Sequence, residues 1–178
     1  KNYLNQKRNR LILSNGHSAT RWITNILSKE HFSKCFHSTS LLEVNPKIKN
    51  ILPDPYILHD MEIATNRIVE IIKAKKKIGI FGDYDVDGST STSTLINYFK
   101  QISINLKFHI PDRFSEGYGP SIQTFSNFKK RDVKIIFTVD CGTMAFSEIE
   151  YAREQGMDVV VLDHHTPEIK LPKATAII

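Results

Sequence analysis

The chain has 178 residues, of which 40% are hydrophobic and 24% charged, with a formal net charge of +5. This predicts one moderate globular domain with its own core. No apolar run approaches the roughly 18 residues of a membrane span, so we expect no membrane partner. Cys35 and Cys141 lie far apart, which argues against a disulfide scaffold or a thiolate zinc site and suits a reducing compartment.

The positive charge is concentrated at the start of the chain. Residues 1–50 hold nine Lys or Arg against two acids, a net of +7, so the remainder is at −2. We interpret residues 1–45 as a basic extension, partly disordered or a targeting segment, and 46–178 as the domain. The stretch 21–42 is basic, rich in Ser and Thr and poor in acids, as in mitochondrial presequences. We expect a cytoplasmic protein of bacterial type, or a mitochondrial one if residues 1–40 act as a presequence.

Helices and strands alternate after the prolines at 46, 53 and 55. Asp60 is predicted to cap a first helix, and the lysines at 73–77 suit its C-terminus. Strands are predicted at 78–81, 104–110, 134–139 and 157–162, with a fifth starting at 174–178. The first helix has an apolar face formed by Ile63, Ala64, Ile68, Ile71 and Ile72.

Three more helices are predicted between the strands. One begins at Ser89 to Ser91, and one has Pro120 at its first position. The last covers residues 145–155, with Gly156 as its stop. Their inward residues are Leu95, Ile96, Phe99 and Ile102; Ile122, Phe125 and Phe128; and Ile149 and Ala152. The alternation predicts an α/β fold with a mainly parallel sheet and helices on both faces.

Acids and histidines follow three of the predicted strands. The first is followed by Asp83, Asp85 and Asp87, the third by Asp140, and the fourth by the run 163–165, Asp-His-His. Ligands of an open parallel sheet bind beyond the carboxyl ends of its strands. Clustered carboxylates repel one another unless cations neutralise them, and imidazole favours Mn²⁺, Fe²⁺ or Zn²⁺ over Ca²⁺. The sequence therefore predicts a two-metal phosphoester-hydrolysing site.

Each of these motifs also has a purely structural interpretation. Asp140 is equally suited to capping the next helix, and adjacent histidines often simply pack together. The hydroxyls of Ser89 and its neighbours suit either an N-cap or, with free helix N–H groups, a bound phosphate. Arg113 suits a phosphate or an ion pair with Glu116, and Tyr118 suits base stacking or packing within its loop.

Four segments resemble the DHH phosphoesterases: FGDYDVDGSTS at 81–91, HIPDRFSEGYGPS at 109–121, TVDCG at 138–142 and VLDHH at 161–165. The resemblance covers about residues 44–178. The EGYG segment at 116–119 favours the RecJ-like branch, which are single-stranded-DNA-specific exonucleases, over pyrophosphatase-like members. The resemblance implies a metal-dependent 5′-to-3′ exonuclease of DNA repair and recombination, with two Mn²⁺ or Mg²⁺ ions.

The resemblance also implies roles for individual residues. Asp85 and Asp87 would bind metal with Asp83 close by, Asp140 would bridge the two ions, and His164 would complete the site. His165 would face the scissile phosphate, and Asp163 would orient a histidine. The residues implied to contact DNA are Arg113, Tyr118 and Ser121, to which the helix start adds Ser89.

The family continues with a fourth strand-end Asp and a smaller phosphate-binding domain, neither of which precedes Ile178. We therefore expect the N-terminal piece of a longer enzyme, with little activity of its own. A DHH phosphoesterase of small substrates (oligonucleotides, cyclic dinucleotides or pyrophosphate) and an inactive remnant are the alternatives. The expected partners are single-stranded DNA and a single-strand-binding protein or helicase, with the chain itself monomeric.

Overall fold

The computed structural model describes residues 54–178, and the interpretation of residues 1–45 lies outside them. Within this range the strands form one parallel sheet, in the order β2-β1-β3-β4-β5. The strands are β1 Lys77–Gly82, β2 Leu106–His109, β3 Val133–Val139, β4 Asp158–Leu162 and β5 Ala176–Ile177. The helices are α1 Met61–Lys73, α2 Val86–Gln101, α3 Ile122–Lys130 and α4 Phe146–Glu154, preceded by a 3₁₀ turn at Pro55–Ile57.

Helices cover both faces of the sheet, as predicted. Neighbouring residues of one strand point to opposite faces, so Ile80 lies in one apolar cluster and Phe81 in the other. Residues of α1 and α2 complete the first cluster, and residues of α3 and α4 complete the second. Burial on both faces explains why the central strands lack polar alternation.

The loops after β1, β3 and β4 share one edge of the sheet. These three strands are parallel neighbours, paired for example through Phe81 with Thr138 and Thr138 with Val161. Their carboxyl ends, and the polar motifs that follow them, therefore lie side by side. At the outer edge, β2 is shorter than the predicted 104–110 and pairs only with β1 among the described strands, and its Phe108 is 53% exposed.

The predicted start of α1 is in the right place, but the expected cap is wrong. Asp60 adopts a left-handed conformation with φ of 53°, and its side chain makes no capping hydrogen bond. Its carboxylate accepts a hydrogen bond from the N–H of Ile177 instead, at 3.1 Å, which ties α1 to β5. Ile63 is 53% exposed and does not belong to the buried face of the helix.

Two other helix starts are displaced from their predicted positions. The second helix begins at Val86 rather than Ser89, because the carboxylate of Asp85 accepts a hydrogen bond from the N–H of Gly88 at 2.9 Å and caps it. Likewise Ser121 caps α3, so that Pro120 precedes the helix and Ile122 is exposed. Gly156 follows α4 with φ of 70°, as the predicted stop requires. Among residues 54–178 no helix has the length and apolarity needed to cross a bilayer.

Candidate metal centre

Two groups of potential metal ligands meet at the carboxyl edge of the sheet. One consists of Asp83, Asp85 and Asp140, and the other of Asp140, His164 and His165; within each group the ligand atoms lie within 4.8 Å of one another. Asp140 belongs to both groups. The three loops after β1, β3 and β4 thus contribute to a single cluster, centred on the residue that follows β3.

The β1–α2 turn holds Asp83 at the bottom of this cluster. Its N–H donates to the carbonyl of Val139 at 3.2 Å, which extends the pairing of β1 and β3 by one residue. Gly88 packs directly on it, since a Cβ at that position would come within 2.5 Å of the Asp83 carbonyl oxygen. Asp85 occupies the N-cap of α2, so its second carboxylate oxygen remains available on the exposed side.

Asp140 is buried and faces the cluster. Its φ is 62°, and its N–H donates to the carbonyl of Leu162 at 2.8 Å. The helix-cap interpretation is wrong, because the residue at the N-cap of α4 is Ala145. The Asp140 side chain is 3% exposed, and its Oδ1 lies 2.9 Å from Nε2 of His164. That buried oxygen has no hydrogen-bond partner among the described residues, since the close approach to His164 lacks hydrogen-bond geometry.

This arrangement fits a divalent metal ion. Ligand atoms about 2.1 Å from an octahedral ion and at right angles to each other are about 3.0 Å apart. The separation of Oδ1 of Asp140 and Nε2 of His164, 2.9 Å, is compatible with that spacing and also with a direct ion pair. A buried carboxylate oxygen without a hydrogen bond is costly, and a cation in the cluster would satisfy it.

The electrostatics of the cluster point the same way. Burial, followed by the nearby charge of Asp85, raises the pKa of Asp140 to about 6. Burial also raises the pKa of Asp83, with the charge of Asp85 contributing. These carboxylates therefore lack sufficient compensation from the protein itself, which is the condition that bound cations relieve.

Asp163 anchors His165 from below. Its side chain is 2% exposed, and its Oδ1 lies 2.7 Å from Nδ1 of His165. Burial alone would raise the pKa of Asp163, but hydrogen bonds from Thr143 and His165 outweigh it and lower the pKa below its usual value. Burial also opposes the charge on His165, yet the hydrogen bond to Asp163 leaves the pKa of that imidazole raised.

The loop at 110–121 closes one side of the cluster. The Tyr118 hydroxyl is 3.3 Å from Nδ1 of His165, and the Arg113 guanidinium lies over the ring of Tyr84, 5.6 Å from its centroid. Glu116 pairs with His109 at 2.7 Å, so the predicted local pair of Arg113 with Glu116 is not the one formed.

Other residues from the sequence prediction are placed differently. Asp87 lies in the first turn of α2 and in neither ligand group of the described chain. The N–H of Ser89 already donates to the carbonyl of Asp85 at 2.9 Å, and Ser121 serves as the cap of α3. For Ser89, what remains for a ligand is a hydroxyl, not a free helix N-terminus. The hydroxyl of Ser121 already accepts from the N–H of Thr124 at 3.1 Å and lies 2.9 Å from its Oγ1.

Comparison with known proteins identifies the family. A model described as "DHH family, N-terminal domain" matches residues 77–178, which include all three strand-end motifs. The chain belongs to the DHH family.

Several DHH proteins are similar in sequence. The single-stranded-DNA-specific exonuclease RecJ of Bacillus subtilis is 45% identical over 125 residues, which is 70% of this chain and 16% of that protein. The protein of the same name from Haemophilus influenzae is 35% identical over 143 residues, 80% of this chain and 25% of that protein. The chain thus spans a quarter or less of these relatives.

Solved DHH structures agree with the fold. A crystal structure of exonuclease RecJ bound to manganese has a TM-score of 0.60 at 32% identity, covering 66% of this chain and 30% of that one. The crystal structure of RecJ from Thermus thermophilus in complex with Mn²⁺ has a TM-score of 0.54 at 27% identity, covering 65% of this chain and 16% of that one.

Sequence reasoning missed one residue that contacts this cluster, Thr143. It lies in the turn after β3, is 1% exposed, and donates both its N–H, at 3.0 Å, and its hydroxyl to Oδ2 of Asp163. Gly142 makes the turn possible, with φ of 110° and no room for a Cβ beside Thr138. A buried hydroxyl after a strand-end Asp-Cys-Gly run has no chemical signature of its own, so only the three-dimensional contact reveals it.

Replacing Thr143 with valine should weaken Mn²⁺ binding roughly tenfold, because partners that orient metal ligands are typically worth 10- to 100-fold in affinity. Valine has a similar shape but cannot donate to Asp163, which then holds His165 less firmly. Serine at this position keeps the hydroxyl and should restore most of the affinity. Isothermal titration with MnCl₂ measures the effect, and equal affinities for valine and wild type would contradict the role of Thr143.

Proposed function

We propose that this chain forms the metal-binding part of a hydrolase that removes nucleotides from the 5′ end of single-stranded DNA. The observation that carries the proposal is the position of Asp140, which is a member of both groups of potential metal ligands. Similarity to proteins named as single-stranded-DNA-specific exonucleases supports the choice of substrate. Two divalent ions, Mn²⁺ or Mg²⁺, are the implied cofactors, supported by the manganese in similar structures.

Asp83 and Asp85 would hold one ion, His164 the other, and Asp140 both, with Asp87 a further candidate ligand from α2 and His165 left to face the phosphate. Bound there, the ions would supply Lewis acidity to the phosphoryl group and to the attacking water. Carboxylates and imidazoles together are a donor set suited to Mn²⁺. The buried Asp140 oxygen without a hydrogen bond is the feature of this chain that such an ion would satisfy.

Asp163 would keep His165 in one orientation. Because Nδ1 of that imidazole contacts Asp163, Nε2 is the nitrogen left to face an ion or the scissile phosphate. Its raised pKa favours the protonated form, which can donate a hydrogen bond to a phosphate oxygen when no metal claims the nitrogen. We assign His165 and Asp163 as the catalytic pair on this basis.

The substrate strand would lie against the loop at 110–121. Arg113 lies beside the turn that carries Asp83 and Asp85, where its guanidinium can bind one phosphate through two parallel N–H groups. Tyr118 presents a half-exposed ring next to His165. The hydroxyls of Ser121 and Ser89 are further candidate contacts to the DNA backbone.

A labelled single strand tests the reaction. Because the chain by itself is expected to have little activity, the assay uses protein in excess over DNA and long incubation. With Mn²⁺ present, an oligonucleotide labelled at its 5′ end should slowly release labelled mononucleotide as the first labelled product, while a 3′ label should remain on long products. Asp140→Asn serves as the inactive control. Hydrolysis confined to dinucleotides would replace this function with a small-substrate phosphoesterase.

The cellular setting follows from the same proposal. We predict a role in DNA repair or recombination and a cytoplasmic location of bacterial type. We also predict that the chain is monomeric and contacts a single-strand-binding protein or helicase. Co-purification with a tagged chain and the elution volume in gel filtration would check the partners and the monomer.

A further inference from the structure

Positively charged side chains are concentrated where β1 and β3 begin, at the end of the sheet opposite the candidate metal centre. Eight of the fifteen Lys and Arg side chains between 54 and 178 lie in two short segments, 73–77 and 129–134. We name this surface the basic edge. It consists of Lys73, Lys75, Lys76, Lys77, Lys129, Lys130, Arg131 and Lys134.

The two segments of the basic edge are in contact. Lys77 is the first residue of β1 and pairs with Val133, the first of β3. Its ammonium donates to the carbonyl of Arg131 at 3.1 Å, which joins the end of α1 to the end of α3. Asp132 is the one acid within these segments; its carboxylate pairs with Lys134 at 2.9 Å, and the charges of that lysine, Lys77 and Lys76 lower its pKa.

Complementing helix dipoles does not account for this much charge. Lysines at the C-termini of α1 and α3 offset about half a negative charge per helix. With Asp132 also subtracted, about six positive charges remain on a surface a few residues wide. Lys73, Lys75, Lys76, Lys130 and Arg131 are exposed there, while the described chain as a whole is slightly acidic.

Lys75 occupies a backbone position at which glycine would be less strained. Its φ is 51°, and the N–H groups of Lys75 and Lys76 close the end of α1 by donating to the carbonyls of Ile72 and Ile71. Helices commonly place glycine at this left-handed position. Glycine at this position would relieve the strain and remove the charge together, so that Lys75→Gly tests the cation without a cost in stability.

We propose that the basic edge binds the phosphate backbone of single-stranded DNA, at a site separate from the candidate metal centre. The choice of DNA rests on the proposed function. Of the large apolar side chains exposed between 54 and 178, none lies within 73–77 or 129–134. A protein partner would ordinarily require such an anchor, whereas a sugar–phosphate backbone requires only cations.

The separation of the two sites makes the proposal testable. Along β3 they are roughly 20 Å apart, at about 3.3 Å per residue. A dinucleotide spans only about 7 Å of stacked strand, so one bound at the metal centre does not reach the basic edge. Long single strands should use both sites, and short ones only the first.

The test compares two charge-matched double variants of the full chain. Lys76→Gln with Lys130→Gln removes one cation from each segment of the basic edge, whereas Lys170→Gln with Lys173→Gln removes two exposed cations outside those segments. Binding of a fluorescent oligo-dT is followed by anisotropy in EDTA, over a range of KCl concentrations. The basic residues before position 54 are the same in both variants, so any DNA binding by them does not affect the comparison.

The basic-edge variant should bind at least roughly fivefold more weakly than wild type. The slope of log K against log salt, which is negative, should become shallower by about 1.4, or 0.7 for each lost phosphate contact. The control should change neither quantity. Lys75→Gly should likewise weaken DNA binding without lowering the melting temperature. A parallel loss on duplex DNA is expected, since both strands present the same phosphates.

Equal affinities and slopes for the two double variants would overturn the proposal, and so would a loss that affects poly-glutamate but not DNA. Mn²⁺-dependent dinucleotide hydrolysis is measured separately and should be the same in both variants. If wild type fails to hydrolyse any substrate but the basic-edge effect persists, the proposed function fails and the second DNA site stands.

Discussion

Asp140→Asn should abolish Mn²⁺ binding, with at least roughly a 100-fold loss of affinity and no detectable hydrolysis. Asparagine has the same shape but cannot supply an anionic oxygen, and hard divalent ions depend on that charge. The effect is large because Asp140 belongs to both ligand groups, so that one substitution impairs both sites. Isothermal titration of the metal-free chain with MnCl₂ gives the affinity.

Asp132→Asn is a closely matched control. Asp132 and Asp140 share the same left-handed backbone, with φ of 62° at each, so the cost or gain of asparagine in that conformation is common to both variants. Asp132 lies at the opposite edge of the sheet beside Lys134, and its variant should bind Mn²⁺ as wild type does. Unchanged Mn²⁺ affinity in Asp140→Asn would refute the shared site.

Asp140→Asn should also stabilise the metal-free chain at neutral pH. The pKa of Asp140 rises from 3.8 to about 6 on folding, so the folded state disfavours its charged form above pH 6. A shift of two units corresponds to an upper bound of roughly 3 kcal/mol at 1.36 per unit, and the cost of burying the asparagine amide without a hydrogen bond reduces the expected gain to about 1 kcal/mol.

This gain depends on pH in a definite direction. It should be full above pH 6, shrink as the pH falls toward 4, and be absent below the unfolded pKa of 3.8, where both states bind the proton. Urea denaturation in EDTA at pH 7.5 and pH 5 measures it. Saturating Mn²⁺ should reverse the order, because only wild type then gains stability from binding. A less stable Asp140→Asn variant in EDTA at pH 7.5 would contradict the burial argument.

The sequence predicts the sheet and the meeting of the strand-end residues well, for a topological reason. Buried parallel strands read as continuous apolar runs, and neighbouring parallel strands bring whatever follows them to one edge. Asp83, Asp140 and His164 therefore had to lie close together once β1, β3 and β4 were adjacent. Adjacency itself was not determined by the pattern, which gives strands but not their order.

Features that depend on which polar groups pair were predicted less well. Asp60 looks like a helix cap in sequence, yet its carboxylate bonds to a strand that is more than a hundred residues away. In the sequence Asp85 looks only like a metal ligand, yet it also caps α2, so that the helix begins at Val86, before the predicted Ser89. In both cases a short polar side chain has a local and a distant partner available, and local propensity cannot decide between them.

Gly88→Ala should destabilise the chain by about 2–3 kcal/mol, the usual cost of overpacking a tight contact. In an ordinary helix this change would stabilise by about 1 kcal/mol, because alanine is the better helix former. Here a Cβ would come within 2.6 Å of the Asp83 Cα and even closer to its carbonyl oxygen, and backbone atoms at the end of β1 cannot move aside cheaply. Urea denaturation compares the free energies of unfolding.

Gly156→Ala separates this clash from backbone strain. Gly156 has φ of 70° and open space around it, so alanine there should cost only the roughly 1–2 kcal/mol of a left-handed residue and leave Mn²⁺ binding unchanged. Gly88→Ala, by contrast, should also weaken Mn²⁺ binding, because the displaced residue is Asp83 itself. If Gly88→Ala unfolds at the same urea concentration as wild type and binds Mn²⁺ equally well, then the close packing of α2 on the end of β1 is not what positions the first ligand group.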